Sequence, residues 1–389
     1  MSFYLTPVTG ELLINREKEL ETLVSELSKR NSRIGFSLTG VRRIGKTSIL
    51  KDAKKRLEKR GIPVVYISVW STMPDTLEAF IANLFDQTIT AFEDRFSLKM
   101  KIANLIKLGR NGLADLLKHL KISVELGNEI SYTVSFVRGD DTDVSKATYN
   151  VFKLIDDLAE KTKTKCVLII DEFPSITELK VGKQMIGDSV IKMLRSINEE
   201  YTNVALVVSG SLAHTMHKAV LSSSAPFYKQ LVNLEITPLD DTAVRNFVKK
   251  YLKKKISSKG LESLMEISSG IPYNLQILGR QLAQSKDSVL TETSVSKATC
   301  AVLEREGDVH FRDYVGLMQS TEVSVVKTMA VYGASSPKEI SDASNMKLNE
   351  ITALLGLLLN KGILRKTARG QYQFTDNMFK TWLSIYTQR

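Results

Sequence analysis

Residues 40–47 read Gly-Val-Arg-Arg-Ile-Gly-Lys-Thr, a complete GxxxxGK[ST] pattern, and these residue types at this spacing can hold a polyphosphate. Gly40 and Gly45 reach backbone angles closed to other residues, so successive N–H groups can turn inward around an anion. Lys46 then meets the β and γ phosphates as a point charge, and the Thr47 hydroxyl is placed to ligate Mg²⁺. Arg42, Arg43, Ile44 and Ser48 complete the stretch expected to touch the nucleotide. Taken alone, the pattern could be an ordinary glycine-rich turn before a helix. A second charged pair argues against that. Asp171-Glu172 closes the apolar run 165–170 (KCVLII), where a carboxylate without a task is costly. In a phosphate-hydrolysing site the first carboxylate holds Mg²⁺, directly or through water, and the second takes a proton from the attacking water. Residues 207–211 (VVSGS) end another apolar run in polar residues. A hydroxyl there, Ser211 ahead of Ser209, can orient the water or sense the γ phosphate; a simple turn is the alternative.

The surrounding pattern supplies elements to carry these residues. Residues 33–39 (RIGFSLT) form a strand-like apolar run, and residues 47–59 have helical spacing at Ile49, Leu50, Ala53 and Leu57. That is the strand, loop, helix order that the loop requires. Gly61 and Pro63 punctuate the passage to a second strand at 63–70 (PVVYISVW), so the alternation is β-α-β and predicts a parallel sheet covered on both faces. The 165–170 run is continuously apolar and belongs at its centre; 204–209 and 231–236 add two strands. Ahead of the loop, Glu17, Leu20, Leu23 and Leu27 mark a helix. Residues 76–120 read as helical. Residues 121–137 alternate apolar and polar on either side of Gly127-Asn128, a β-hairpin inserted into the alternation, closed by turn chemistry at 139–143 and followed by a helix at 144–161. From 240 to 319 the pattern is wholly helical, and the last seventy residues change character again.

With 389 residues, two or three domains are expected; the divisions fall at 1–239, 240–319 and 320–389. Apolar content of 43% and charged content of 25% are those of a globular protein. No apolar run approaches the ~18 residues that span a bilayer, and the N-terminus lacks a leader pattern, so no membrane association and a cytoplasmic location are expected. Cys166 and Cys300 cannot build a disulfide framework, and four histidines show no zinc spacing. The net charge of +11 favours an anionic partner: nucleotide, nucleic acid or acidic protein.

The chain resembles the archaeal ATPase family, relatives of the STAND and AAA+ P-loop ATPases and of the origin-recognition ATPases. The resemblance rests on Ile14-Asn15-Arg16-Glu17, the 40–47 loop, Ile169-Ile170-Asp171-Glu172-Phe173, Ser209-Gly210-Ser211, Gly270-Ile271-Pro272-Tyr273, and Phe374-Thr375-Asp376-Asn377-Met378-Phe379 with Trp382. It covers almost the whole chain. It implies an α/β fold: a P-loop NTPase core with a parallel sheet of order 5-1-4-3-2, then a helical lid and a winged-helix domain. It also implies ATP/ADP and Mg²⁺ as cofactors, Arg16 near the adenine, and Ile271 and Pro272 bringing the lid to the nucleotide. Relatives commonly carry an arginine in a Tyr-Gly-Arg-like segment where this chain has Phe227-Tyr228-Lys229. Lysine cannot make the planar bidentate contact of an arginine finger, so Lys229 is not assigned a catalytic role.

At the C-terminus, 336–340 and 348–359 read as helix, turn, helix, and 362–366 and 371–374 around Ala368-Arg369-Gly370 read as a two-stranded wing. Residues 317–389 hold nine Lys or Arg against five Asp or Glu. Where such a unit reads DNA, its second helix enters the major groove and its wing touches the backbone; Lys347, Asn349, Lys361, Arg365, Lys366 and Arg369 could serve. Against this, Leu354, Leu355, Leu357, Leu358 and Leu359 leave the second helix little polar surface, the composition of a helix that packs on protein. The expected function is an ATP-hydrolysing switch whose nucleotide state sets the lid and winged helix and regulates contact with double-stranded DNA. The alternative is a slow-turnover signalling or assembly scaffold that binds protein partners or forms a homo-oligomer.

Overall fold

The computed structural model describes residues 3–71, 75–93, 120–126, 130–136, 144–211, 216, 220, 222, 225–316 and 318–386. After an extended entry with one 3-10 turn (Gly10–Leu12), helix α1 (Glu17–Ser28) buries Leu20, Leu23, Val24 and Leu27, the stripe that 3.6-residue periodicity demands. Strand β1 (Gly35–Thr39), helix α2 (Lys46–Lys59), strand β2 (Val64–Ser68) and helix α3 (Leu77–Ala91) follow. Strands β3 (Leu120–Leu126) and β4 (Ile130–Phe136) pair antiparallel, Leu126 opposite Ile130. The hairpin turn at Gly127-Asn128, the turn at 139–143 and the helical reading of 94–119 lie outside the described residues. Helix α4 (Val144–Lys161), strand β5 (Cys166–Asp171), the short antiparallel pair β6 (Lys180–Val181) and β7 (Gln184–Met185), helix α5 (Gly187–Glu200), and strands β8 (Val204–Ser209) and β9 (Leu231–Glu235) complete the first part.

The main sheet runs β2-β5-β8-β1-β9 and all its pairs are parallel. Counted as five sheet strands in chain order and read from the β9 edge, that is 5-1-4-3-2. Every residue of β5 and β8 is buried, which is why these strands read as uninterrupted apolar runs. Side chains alternate between two cores, as the two-residue period of a strand requires. Leu168 and Ile170 belong to the same core as Phe80, Phe152 and Leu194 on one face, while Val167 and Ile169 belong to the core of Leu23, Ile49 and Leu57 on the other. The register aligns Ser68 with Asp171 and Leu38 with Ser209, so the polar ends of β2, β5, β1 and β8 gather along one sheet edge.

The remaining helices are α6 (Asp241–Tyr251), α7 (Ser258–Ser268), α8 (Pro272–Ala283), α9 (Glu292–Gly316), α10 (Ser320–Tyr332), α11 (Pro337–Ser344), α12 (Leu348–Asn360) and α13 (Asn377–Tyr386). The stretch 240–319 departs from the wholly helical expectation: β10 (Lys255–Ile256) pairs in parallel with β11 (Val289–Leu290). Two residues are too few to carry a strand period. Helix α11 starts with the capping box Ser336 and Glu339 and with Pro337 in its first turn. Helices α10 to α12 precede an antiparallel hairpin, β12 (Leu364–Ala368) with β13 (Gln371–Phe374), pairing Arg365 with Gln373. One hydrophobic core runs from Leu239 to Leu383 and joins these helices to α6–α9. Its centre is aromatic: Tyr314 of α9 stacks on Phe379 of α13 at 5.1 Å, and Phe311 lies 5.8 Å from Trp382. Among the described residues no helix is long and apolar enough to cross a membrane.

Candidate nucleotide site

The loop after β1 has the backbone its glycines permit. Gly45 sits at φ 101° as the left-handed residue before α2, and a Cβ on Gly40 (φ 150°) would lie 2.5 Å from the Ile236 carbonyl oxygen. Lys46, only 6% exposed, curls back so that Nζ donates to the carbonyls of Gly40 and Val41, both at 3.1 Å. Burial pushes its pKa down to about 8, against the pull of Glu172 and Asp171. The Thr47 hydroxyl makes no hydrogen bond among the described residues.

Asp171 ends β5 at 2% exposure, and the neighbouring strands hold it on both sides. From β2, the Tyr66 hydroxyl donates to Oδ2 at 2.7 Å; from β8, the Ser209 hydroxyl donates to Oδ1, which also accepts the Glu172 N–H at 3.2 Å. Burial, then Asp171, raises the Tyr66 pKa, so the phenol stays a donor. Glu172 turns the chain through a left-handed conformation (φ 54°), a strained geometry for a non-glycine residue. Burial raises its pKa, and Lys46 opposes that shift. A carboxylate and a free threonine hydroxyl are hard oxygen donors of the kind Mg²⁺ takes alongside phosphates and water, so Thr47 and Asp171 fit that ion.

These groups open on a cavity of about 410 Å³ lined by loop residues, Glu172, Trp70, residues 4–8, and Pro272, Tyr273 and Gln276 of α8. An adjoining space of about 500 Å³ reaches Tyr66, Asn83, Gln87 and Asp171 and shares Pro7, Thr47, Trp70 and Glu172 with the first. Helix α8 arrives through Gly270 (φ 65°), where a Cβ would lie 2.3 Å from the Leu239 carbonyl oxygen. The Arg43 guanidinium lies 4.5 Å over the Tyr273 ring, and the Tyr273 hydroxyl is 3.3 Å from the His310 ring nitrogens. Arg42 lies 5.9 Å over Trp70 and 6.0 Å over Tyr314.

The structure therefore gathers Arg42, Arg43, Gly45, Lys46, Thr47, Ser48, Glu172 and Pro272 around one space, with Asp171 lining its neighbour. Gly40 and Ile44 shape the loop, and Ile271 is buried in the core beside α1 and α2. Arg16, expected near the adenine, lines neither cavity. It is 3% exposed and donates to the carbonyls of Ile44 (3.3 Å) and Thr237 (2.8 Å), bracing the loop from behind. Ser211 also lines neither, whereas Ser209 bonds Asp171. Tyr66, Trp70, Gln276 and residues 4–8 also line these cavities and carry no motif in the sequence. A tyrosine interrupting the apolar run 63–70 was the one available signal. Of the basic positions at the C-terminus, Lys347, Arg365, Lys366 and Arg369 are exposed, as is Asn349. Lys361 differs: its ammonium is 2.6 Å from Glu322, which is fully buried, so it serves as that carboxylate's counter-ion.

No curated protein matches this sequence. Among solved structures, the chain is similar to a Walker-type ATPase of Pyrococcus abyssi at 18% identity and TM-score 0.65, covering 98% of this chain and 99% of that one. It is also similar to the Aeropyrum pernix ORC2 protein, solved as ADPNP-ADP complexes, at 13% identity and TM-score 0.53, covering 99% and 97%. At such identities the likeness is one of fold. The sequence itself matches the ATPase domain family found predominantly in Archaea over residues 13–278, a span that contains the loop, Asp171-Glu172 and the start of α8. The chain belongs to this family of ATPase domains.

Proposed function

We propose that the chain binds ATP with Mg²⁺ between its sheet edge and α8, hydrolyses it, and uses the nucleotide state to reposition a C-terminal winged helix that contacts duplex DNA. The convergence of Lys46, Asp171 and Glu172 on adjoining cavities supports this most strongly. Lys46 exchanges its two carbonyl acceptors for phosphate oxygens, joined by the loop N–H groups and the dipole of α2. Thr47 and Asp171 would hold Mg²⁺, which when bound neutralises phosphate charge. Tyr66 and Ser209 keep the Asp171 carboxylate in one orientation. Glu172 accepts a proton from the attacking water, and its burial-raised pKa makes it the better base.

A contiguous path supports the switch. Arg42 and Arg43 of the loop lie over Tyr314 and Tyr273, and Tyr314 stacks on Phe379 of α13. Nucleotide can bias this path only by binding its two arrangements with different affinity. In this reading α10 to α13 form the winged helix, and Arg365, Lys366 and Arg369 on the hairpin meet DNA phosphates. A protein-binding scaffold is the second reading, favoured by Leu348 and Leu357, 51% and 41% exposed on α12. Duplex binding measured over a salt series with ATP, with ADP and without nucleotide separates them. Nucleotide-dependent binding that weakens with salt is expected; no binding at low salt, or indifference to nucleotide, contradicts the DNA assignment.

A further inference from the structure

The carboxamide of Gln276 has one end tied and one end free. Gln276 is 8% exposed, and its Oε1 accepts the Tyr4 backbone N–H at 3.0 Å. Because an N–H can only donate, the oxygen must face Tyr4, which fixes the side-chain orientation. Nε2 is left as the other end. It has no hydrogen-bond partner among the described residues, and Gln276 lines the 410 Å³ cavity.

The segment that ties it is itself held at three further points. One turn along α8, a Cβ on Gly279 would lie 2.5 Å from the Phe3 ring. Glycine inside a helix is destabilising relative to alanine, and here it makes room for that ring. At the other end, the Val8 N–H donates to Ser48 Oγ at 3.1 Å and the Gly10 N–H to Asp52 Oδ1 at 2.6 Å. Residues 5–7 thus bridge α8 and α2 across the cavity, and their backbone carbonyls accept no hydrogen bond among the described residues.

Lys46 and Glu172 mark the phosphate end of this space. Arg42, Arg43, Thr47 and Ser48 lie with them around the loop, and away from the loop the lining is mainly Leu5, Pro7, Val8, Trp70, Pro272 and Tyr273 with few polar groups, the mix by which a pocket orients a planar heterocycle. We infer that Gln276 reads the base: with residues 4–8 and Tyr273 as walls, its Nε2 donates to an acceptor on the nucleobase edge. The inference rests on the nucleotide reading above and replaces the placement of Arg16 at the base. Arg16 braces the loop; Gln276 sets base specificity.

Gln276→Glu tests it, because glutamate keeps the acceptor for the Tyr4 N–H and the side-chain volume while removing the donor. Calorimetric affinities of the full chain for ATP and for inorganic tripolyphosphate, which has no base, are compared. The parental chain should bind ATP well above tripolyphosphate, and Gln276→Glu should lower the ratio of the two affinities about tenfold. Gly279→Ala, which pushes Phe3 and the bridge away, should lower the same ratio without touching the loop. An unchanged ratio in both variants overturns the inference, as does equal affinity of the parental chain for ATP and tripolyphosphate. In those cases binding of tripolyphosphate leaves the phosphate site standing, whereas failure to bind either ligand overturns the nucleotide reading itself.

Discussion

The Tyr66 hydroxyl donates to Asp171 Oδ2 at 2.7 Å across neighbouring parallel strands, although the residues are 105 positions apart in sequence. With Ser209 on the opposite side, the carboxylate is held by hydroxyls from both adjacent strands. A hydrogen bond to a charged group contributes about 1.5–3 kcal/mol. Because Tyr66 is only partly buried, Tyr66→Phe is expected to cost about 1.5 kcal/mol, read as a lower urea midpoint at unchanged m-value. Unchanged stability would show that the bond carries no weight in the folded chain.

Lys361 and Lys366 should behave oppositely although both were candidate DNA contacts. Removing the partner of the buried Glu322 carboxylate leaves a charge without compensation, so Lys361→Met should destabilise by about 3 kcal/mol. Lys366 is exposed on the hairpin, and Lys366→Met should stay within about 0.5 kcal/mol while weakening duplex binding and flattening its salt dependence. Chemical denaturation and DNA titration of the two variants distinguish these outcomes.

Asp376 connects α13 to α8, accepting the Met378 N–H and the Asn274 side-chain amide, both at 2.9 Å. Burial raises its pKa from 3.8 to about 6. Between those values the folded chain holds the proton that the unfolded chain has released. Stability from this group is therefore full below 3.8 and falls by about 3 kcal/mol as pH rises through 6. Asp376→Asn should abolish that slope and gain relative stability above pH 6, checked by urea unfolding at pH 4.5, 5.5 and 7.

Much of the architecture was legible because it depends on long apolar runs. The central strands β5 and β8 stand out as six-residue apolar stretches, and Asp171-Glu172 is conspicuous at the end of the first, whereas the edge strand β9 is mostly exposed. What stayed hidden depends on partners set by register or by backbone. Arg16 shows a charge in sequence but not the Ile44 and Thr237 carbonyls that consume it. Tyr66 meets Asp171 only because β2 lies beside β5. Residues 4–8 are tied through N–H groups that every residue but proline carries, so their role leaves no residue signature. Lys361 has the same sequence signature as its exposed neighbours, because its partner Glu322 is 39 positions away.

In the proposed mechanism Glu172 activates the water for ATP hydrolysis at a site whose binding rests on the loop. Steady-state ATP turnover and ATP affinity, measured together on the parental chain and on Glu172→Gln with Mg²⁺ present, separate this role from binding. Glu172→Gln should keep the affinity while losing about a hundredfold or more in turnover, and Lys46→Ala should lose both. Hydrolysis by Glu172→Gln at the parental rate would contradict the assignment.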